Sequence, residues 1–231
     1  MIRLTTQPRP YTAPWHKDGK GPVFMIHAGG VTDREMFEAD LAGEYNAGPV
    51  TSFEMDAAFS EGLAVLLADS PAQLAELHEL RAAEREIVEH NNEVANRAQS
   101  LPEPDRADFV KLESRELPAA DRQALEEADR IVRDHWPDYA ALHRRRARRH
   151  AMVPLLAFRQ FCSGWTGLKS ECDIGPDGLV TEASAKAVPA MDMKAAGYHA
   201  YTLLYAVEDE GNSARPSSSE KGPATSTSDA K

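Results

Sequence analysis

Apolar residues recur at helical spacing through most of this chain, and as a short unbroken run near its start. Val23-Phe24-Met25-Ile26 is bounded by turn residues and predicts a short strand. Pro8, Pro10 and Pro14 precede it. Proline cannot donate to a sheet ladder, so that stretch is expected to be extended and at an edge. Lys17-Asp18-Gly19-Lys20-Gly21 predicts a turn between the two. The spacing then changes. Thr32, with Glu35 three residues on, has the form of a capping box, and a helix is expected from there to about Glu44 with Met36, Phe37 and Leu41 inward. Gly48-Pro49 breaks it. A second helix is predicted over 53–67, with Phe53, Met55, Phe59, Leu63, Leu66 and Leu67 as its apolar set and Gly62 allowing a close crossing.

Ser70-Pro71 opens a long third helix, serine at the N-cap and proline at the first helical position. Its stripe is Leu74, Leu77, Leu80, Ile87, Val94 and Ala98, with polar Glu84 and Asn91 in the same register. So narrow a stripe predicts one side against a partner helix and the rest wet. Residues 100–118 hold three prolines and read as a connector with a helical turn near Phe109. A fourth helix starts at about Ala119, with Leu125, Ala128, Ile131, Val132 and Trp136. The third and fourth are expected to form an antiparallel hairpin. Pro137 interrupts. The apolar pattern resumes through Tyr139, Leu142, Met152, Leu155, Leu156, Phe158, Phe161 and Trp165, with Pro154 expected to kink the helix. Gly175-Pro176-Asp177-Gly178 is a turn, Thr181 caps a short helix that Pro189 ends, and a last helix from about Met191 should bury Met193, Ala196, Ala200, Leu203 and Leu204. From 208 to 231 no apolar residue exceeds alanine in size, so nothing there offsets the entropy of ordering.

The fold class expected is therefore mainly α with a small N-terminal β element (α+β): a helical-hairpin core and a disordered C-terminal tail. The expected division is 1–68 for the β element with two short helices, 69–207 for a helical domain, and 208–231 for the tail. Composition agrees. Of 231 residues, 42 % are hydrophobic and only 7 % aromatic, which favours helices over a sandwich. The net charge is −11, and residues 33–70 carry nine acids against Arg34 alone. Such a surface repels nucleic acid and anionic membrane; it suits a basic or neutral protein partner, or simply keeps the chain in solution. No window approaches the ~18 apolar residues of a membrane span. Met1-Ile2-Arg3-Leu4-Thr5 lacks the core of a signal peptide, so a cytoplasmic protein is expected. Cys162 and Cys172 fit no zinc motif and predict one buried and one exposed free thiol.

Candidate chemistry is sparse. His27-Ala28-Gly29-Gly30 shares letters with a hydrolase oxyanion loop, but no Gly-x-Ser-x-Gly accompanies it, so a glycine turn is expected. Gly164-Trp165-Thr166-Gly167-Leu168-Lys169-Ser170 lacks the Gly-Lys-Ser/Thr unit of a phosphate loop. His135, His143 and His150 stand about 10 to 12 Å apart along a helix, too far to share one metal. No catalytic, cofactor-binding or metal-binding residue is assigned, and no cofactor is expected. One run stands out: Arg144, Arg145, Arg146, Arg148 and Arg149. It reads as a nucleic-acid patch, a protein-docking patch or a solvated face. Consecutive arginines fan around a helix and no aromatic residue is interleaved, which weighs against nucleic acid. Residues 71–143 hold seventeen acids against nine bases, so the run can also pair internally.

The C-terminal third carries a run of characteristic words. Val153-Pro154-Leu155-Leu156-Ala157-Phe158-Arg159-Gln160-Phe161 leads into Gly164-Trp165. Gly178-Leu179-Val180-Thr181-Glu182-Ala183, Val188-Pro189, Ala195-Ala196-Gly197-Tyr198-His199-Ala200-Tyr201 and Asn212-Ser213-Ala214-Arg215-Pro216-Ser217 follow. With Thr32-Asp33-Arg34-Glu35-Met36-Phe37-Glu38-Ala39-Asp40-Leu41-Ala42-Gly43, these make the chain resemble the tail assembly chaperones of long-tailed bacteriophages and their prophage relatives. The resemblance implies a non-enzymatic protein of the host bacterial cytoplasm, absent from the mature virion. It implies binding to the tape-measure protein and recruitment of tail-tube protein, and it admits self-association. It also implies a longer frameshifted form, which Glu220-Lys221-Gly222 would support if its codons read GAA AAG GGN. The readings set against it are a head–tail completion protein retained in the virion, a small enzyme, and a nucleic-acid binder.

Overall fold

In a computed structural model of the chain, residues 7–16 and 19–212 are described, the last seven by backbone alone. The chain is mainly α with a small antiparallel sheet. It divides into two compact units, 42–150 and the remainder, so the unit boundaries fall near Leu41 and at His150, not after residue 68. The physical reason lies in the second helix, α2 (Ser52–Leu66). Its Met55, Phe59 and Leu63 are buried in one cluster with Leu77, Leu125, Val132 and Tyr139, so it belongs with the long helices that follow.

The first unit holds the sheet. Strands β1 (Arg9–Tyr11), β2 (Val23–Ile26) and β3 (Cys162–Thr166) pair antiparallel in the order β1-β2-β3. Pro10 stands opposite Met25 on an edge strand, as its missing N–H requires. Of the expected turn, Lys17 and Asp18 lie outside the described residues; Gly19 has φ +66°, a left-handed value that suits a glycine. β3 corrects the expected helix through Trp165. The long helix α6 (Pro137–Phe161) ends at Phe161, and the next residues satisfy the open edge of β2, with Phe24 opposite Trp165. Trp165 thus reaches the core from the sheet, stacked on Phe158 at 5.9 Å between ring centres.

Helix α1 (Val31–Gly43) begins earlier than Thr32. The first turn is closed at Gly30, whose N–H donates to Asp33 Oδ2 at 2.7 Å, so Asp33 takes the part expected of Glu35. Phe37 and Leu41 are buried, but Met36 is 48 % exposed and faces solvent. Thr181 caps α7 (Glu182–Ala187) as expected, accepting from Ser184 N–H, and Gly178 N–H donates to the Gly175 carbonyl across the predicted turn. In α8 (Ala190–Asn212), Ala196, Ala200 and Leu204 are buried. A β-carbon on Gly197 would lie 1.9 Å from the Pro154 carbonyl oxygen, so only glycine permits that approach. The tail expected from 208 begins inside the backbone of α8, and its remainder, 213–231, lies outside the described residues.

The second unit is helical. α2 opens on Thr51, whose hydroxyl accepts from Glu54 N–H at 3.1 Å while Glu54 Oε2 accepts from Thr51 N–H at 2.8 Å. This capping box satisfies both backbone N–H groups reciprocally. Phe53, expected inward, is 80 % exposed because it falls on the opposite side from Met55 and Phe59. α3 (Pro71–Gln99) and α5 (Ala119–His135) supply the other walls of the core; Leu125, Ala128 and Val132 are buried, whereas Ile131 is partly open. Gly62 does permit a close crossing: a β-carbon there would lie 2.7 Å from Val132 Cγ1. The connector is a helix, α4 (Glu103–Glu113), with none of its residues buried. It is held from α3: Asn91 bonds both N–H and C=O of Arg115 at 2.9 Å, and Arg97 lies over the Phe109 ring. The polar interruption in the α3 stripe thus clips the α4–α5 connection in place.

Candidate functional site: a charged groove in the helical unit

A groove of about 760 Å³ opens in the helical unit. One wall is the face of α3 carrying Arg81, Glu84, Arg85, Val88 and Glu89, spaced i, i+3, i+4, i+7 and i+8. The other is α6, through Tyr139, His143 and Arg146 at i, i+4 and i+7. Met55 and Asp56 of α2 and Asp129 of α5 also line it, with Val50, Thr51 and Ser52 beside them. Each wall presents one helical face about 10 to 12 Å long, roughly two turns.

The charges fall into two classes. Some are paired within the fold. Arg81 is paired with Asp56 at 2.9 Å and with Glu84, and it lies 5.2 Å over the Phe59 ring. Burial opposes its charge, but the two carboxylates more than offset that and push its pKa up. Asp129 accepts the Tyr139 hydroxyl at 2.5 Å, with Arg133 at 3.7 Å and His143 Nε2 at 3.8 Å. Burial first, then the Asp129 bond, raises the Tyr139 pKa, so the phenol keeps its proton. Burial lowers the pKa of His143 against the pull of Asp129. The second class has no partner: among the described residues, Arg85, Arg146 and Glu89 make no ion pair or hydrogen bond. Val88 beside them is 52 % exposed.

The arginine run does not act as one patch. Arg145 donates to Glu54 Oε1 at 2.7 Å and to the Pro49 carbonyl, and Arg149 donates to the Ala47 carbonyl at 3.2 Å. These two tie α6 to the segment entering α2. With the Thr51 N–H, Arg145 holds the Glu54 pKa down to about 2. Arg144, Arg146 and Arg148 remain exposed, and only Arg146 faces the groove. Among the described residues no group of three or more His, Cys, Asp and Glu side chains is placed to hold a metal. His143 belongs to the Asp129–Tyr139 cluster instead. That cluster escaped the sequence reading, although Tyr139 and His143 stand at i, i+4; the missing information was that α5 brings Asp129 to them.

The sheet-bearing unit contains a second polar cluster. Asp192, buried at the start of α8, accepts from Trp15 Nε1 at 3.0 Å and meets His16 Nε2 at 2.7 Å through one oxygen. Tyr11 stacks on His199 at 4.2 Å. These contacts anchor β1 and the segment after it to α8. His27-Ala28-Gly29-Gly30 is the strand-to-helix turn; a β-carbon on Gly29 would meet Leu204 Cδ2 at 2.5 Å, so close packing explains that glycine. Among the described residues no helix is long and apolar enough to cross a membrane. Comparisons with protein-family models, with curated proteins and with solved structures find no match for this chain.

Proposed function

We propose that this protein works by binding another protein, as a tail assembly chaperone of a long-tailed phage or prophage. Its client is the tape-measure protein, onto which it helps recruit tail-tube subunits in the host cytoplasm before leaving the finished particle. The observation that carries the reading is the open groove, two helical turns long, between a face of α3 and a face of α6. Its dimensions suit a helix of a rod-like client, and its mixture of exposed valine and charge suits reversible contact. The family reading rests on the resemblance of the words in the C-terminal third to those chaperones.

One feature favours an enzyme instead: Asp129, Tyr139 and His143 converge in a cleft and two of them have shifted pKa values. The geometry weighs against it. The Tyr139 proton is committed to Asp129, and His143 Nε2 is buried with no hydrogen-bond partner, out of reach of a bound molecule. Co-expression tests the proposal. A tape-measure fragment from the same genome should become soluble and co-purify with this chain; a fragment that stays insoluble with no complex refutes it. Mass spectrometry of purified particles separates a departing chaperone from a retained completion protein.

A further inference from the structure

We infer that His143 is a proton-operated latch at the joint between α5 and α6: once protonated, it draws Asp129 Oδ1 away from the Tyr139 hydroxyl. The inference rests on the reading of the groove as a docking site, whose regulation it supplies. The joint is built on one oxygen. Asp129 Oδ1 accepts the Tyr139 hydroxyl at 2.5 Å, and His143 Nε2 stands 3.8 Å from the same atom. Nε2 is buried and makes no hydrogen bond. The imidazole meets the Tyr139 ring edge to face at 4.5 Å between centres, yet the side chain is 26 % exposed, so protons can reach it. A neutral imidazole can leave Nε2 idle. An imidazolium carries N–H on both nitrogens and needs an acceptor. Among the described residues, Asp129 is the carboxylate within 4 Å of it.

The surrounding charges pull in both directions. Burial is the largest influence and holds the His143 pKa below the ordinary 6.5. On α5, Asp129 favours the protonated ring and Arg133 opposes it; on α6, Arg146 opposes it as well. Across the groove, Arg81, Glu84, Arg85 and Glu89 stand on α3 and Asp56 on α2. With His143 neutral, the groove lining holds one carboxylate more than it holds arginines. Protonation of His143 balances them. The latch therefore changes two properties of the site together, the position of Asp129 and the net charge, on the acid side of neutrality. Tyr139 is only 2 % exposed, so a hydroxyl that loses Asp129 has no water to replace it.

Nuclear magnetic resonance of the full chain tests this without any client. The His143 ring C–H, the Tyr139 ζ-carbon and the Asp129 carboxyl carbon are followed from about pH 8 to 5. His143 should titrate below 6.5, and the other two signals should move with the same midpoint. His199 is also held below the ordinary value by burial, but it stacks on Tyr11 in the other unit, so its titration should leave Tyr139 unmoved. Tyr139→Phe removes the competitor for Asp129 and should raise the His143 midpoint. Asp129→Asn removes the charge of the acceptor and should lower it further. Circular dichroism shows whether both variants fold; if either does not, the coupling in the parent chain decides. Tyr139 and Asp129 carbons indifferent to the His143 titration would overturn the inference, as would a midpoint that Tyr139→Phe lowers or leaves unchanged. The outcomes separate from those of co-expression. A tape-measure complex formed by a chain without this coupling refutes only the latch. Coupled titration in a chain that captures no tape-measure fragment refutes only the chaperone reading.

Discussion

Replacing Gly62 with alanine sets two effects of opposite sign against each other. Glycine is about 1 kcal/mol worse than alanine inside a helix, so an exposed Gly→Ala change should stabilise α2. Gly62 is not exposed. Its missing β-carbon would lie 2.7 Å from Val132 Cγ1, 2.9 Å from Trp136 Cγ and 3.1 Å from Trp136 Cβ. Val132 is fully buried and β-branched, and the Trp136 atoms are those nearest its backbone, so neither neighbour can swing aside cheaply. Overpacking of this kind costs about 2 to 3 kcal/mol. The net expectation is destabilisation of about 1 to 2 kcal/mol, a fall in melting temperature of roughly 5 to 10 °C for a cooperative unit of this size. Gly43 is the control, because a β-carbon there meets nothing within 4 Å. Thermal and urea unfolding followed by circular dichroism, with hydrogen exchange at α2 and α5 amides, reads both variants. If Gly62→Ala melts at or above the parent while Gly43→Ala is neutral, the close crossing of α2 and α5 is not the constraint argued here.

Acid should loosen the entry to α2. The Glu54 carboxyl is held at about 2 against an ordinary 4.5, by the Thr51 N–H first and then by Arg145. A depressed carboxylate stabilises fully above its unfolded value, so its contribution persists above about pH 4.5 and is lost as pH falls toward 2; Glu54→Gln should flatten that part of the stability–pH curve, and an unchanged curve would remove Glu54 from the account. Phe53→Ser should shift stability by less than about 0.5 kcal/mol, whereas Phe59→Ala should cost about 3 to 5 kcal/mol; urea midpoints that fail to separate them contradict the assigned faces. Of the two thiols, Cys162 is buried and pushed up to about 12 by desolvation, and Cys172 is half-buried; maleimide labelling of the folded chain should take Cys172 first and reach Cys162 only on unfolding.

What the sequence determined was local. Val23–Ile26 as a strand, Pro10 at an edge, Thr181 as a cap, Ala119 as a helix start and Gly62 as a close crossing all follow from steric or hydrogen-bonding rules that act within a few residues. What it could not determine was set by partners distant in the chain. Trp165 keeps a helical register in the sequence but sits in a strand, because β2 offers an open edge. Phe53 and Met36 count as apolar in any helical pattern, yet the packing leaves them in solvent. Asn91 looks like a flaw in the α3 stripe until the backbone of Arg115 arrives beside it. The arginine run is the plainest case. Five charges adjacent in sequence differ in role only because the backbone of 47–49 and Glu54 claim Arg145 and Arg149, the groove takes Arg146, and Arg144 and Arg148 are left to water. Local rules choose the element a residue joins; which neighbours satisfy its charge is decided by the tertiary fold, since that depends on chain segments far away in sequence.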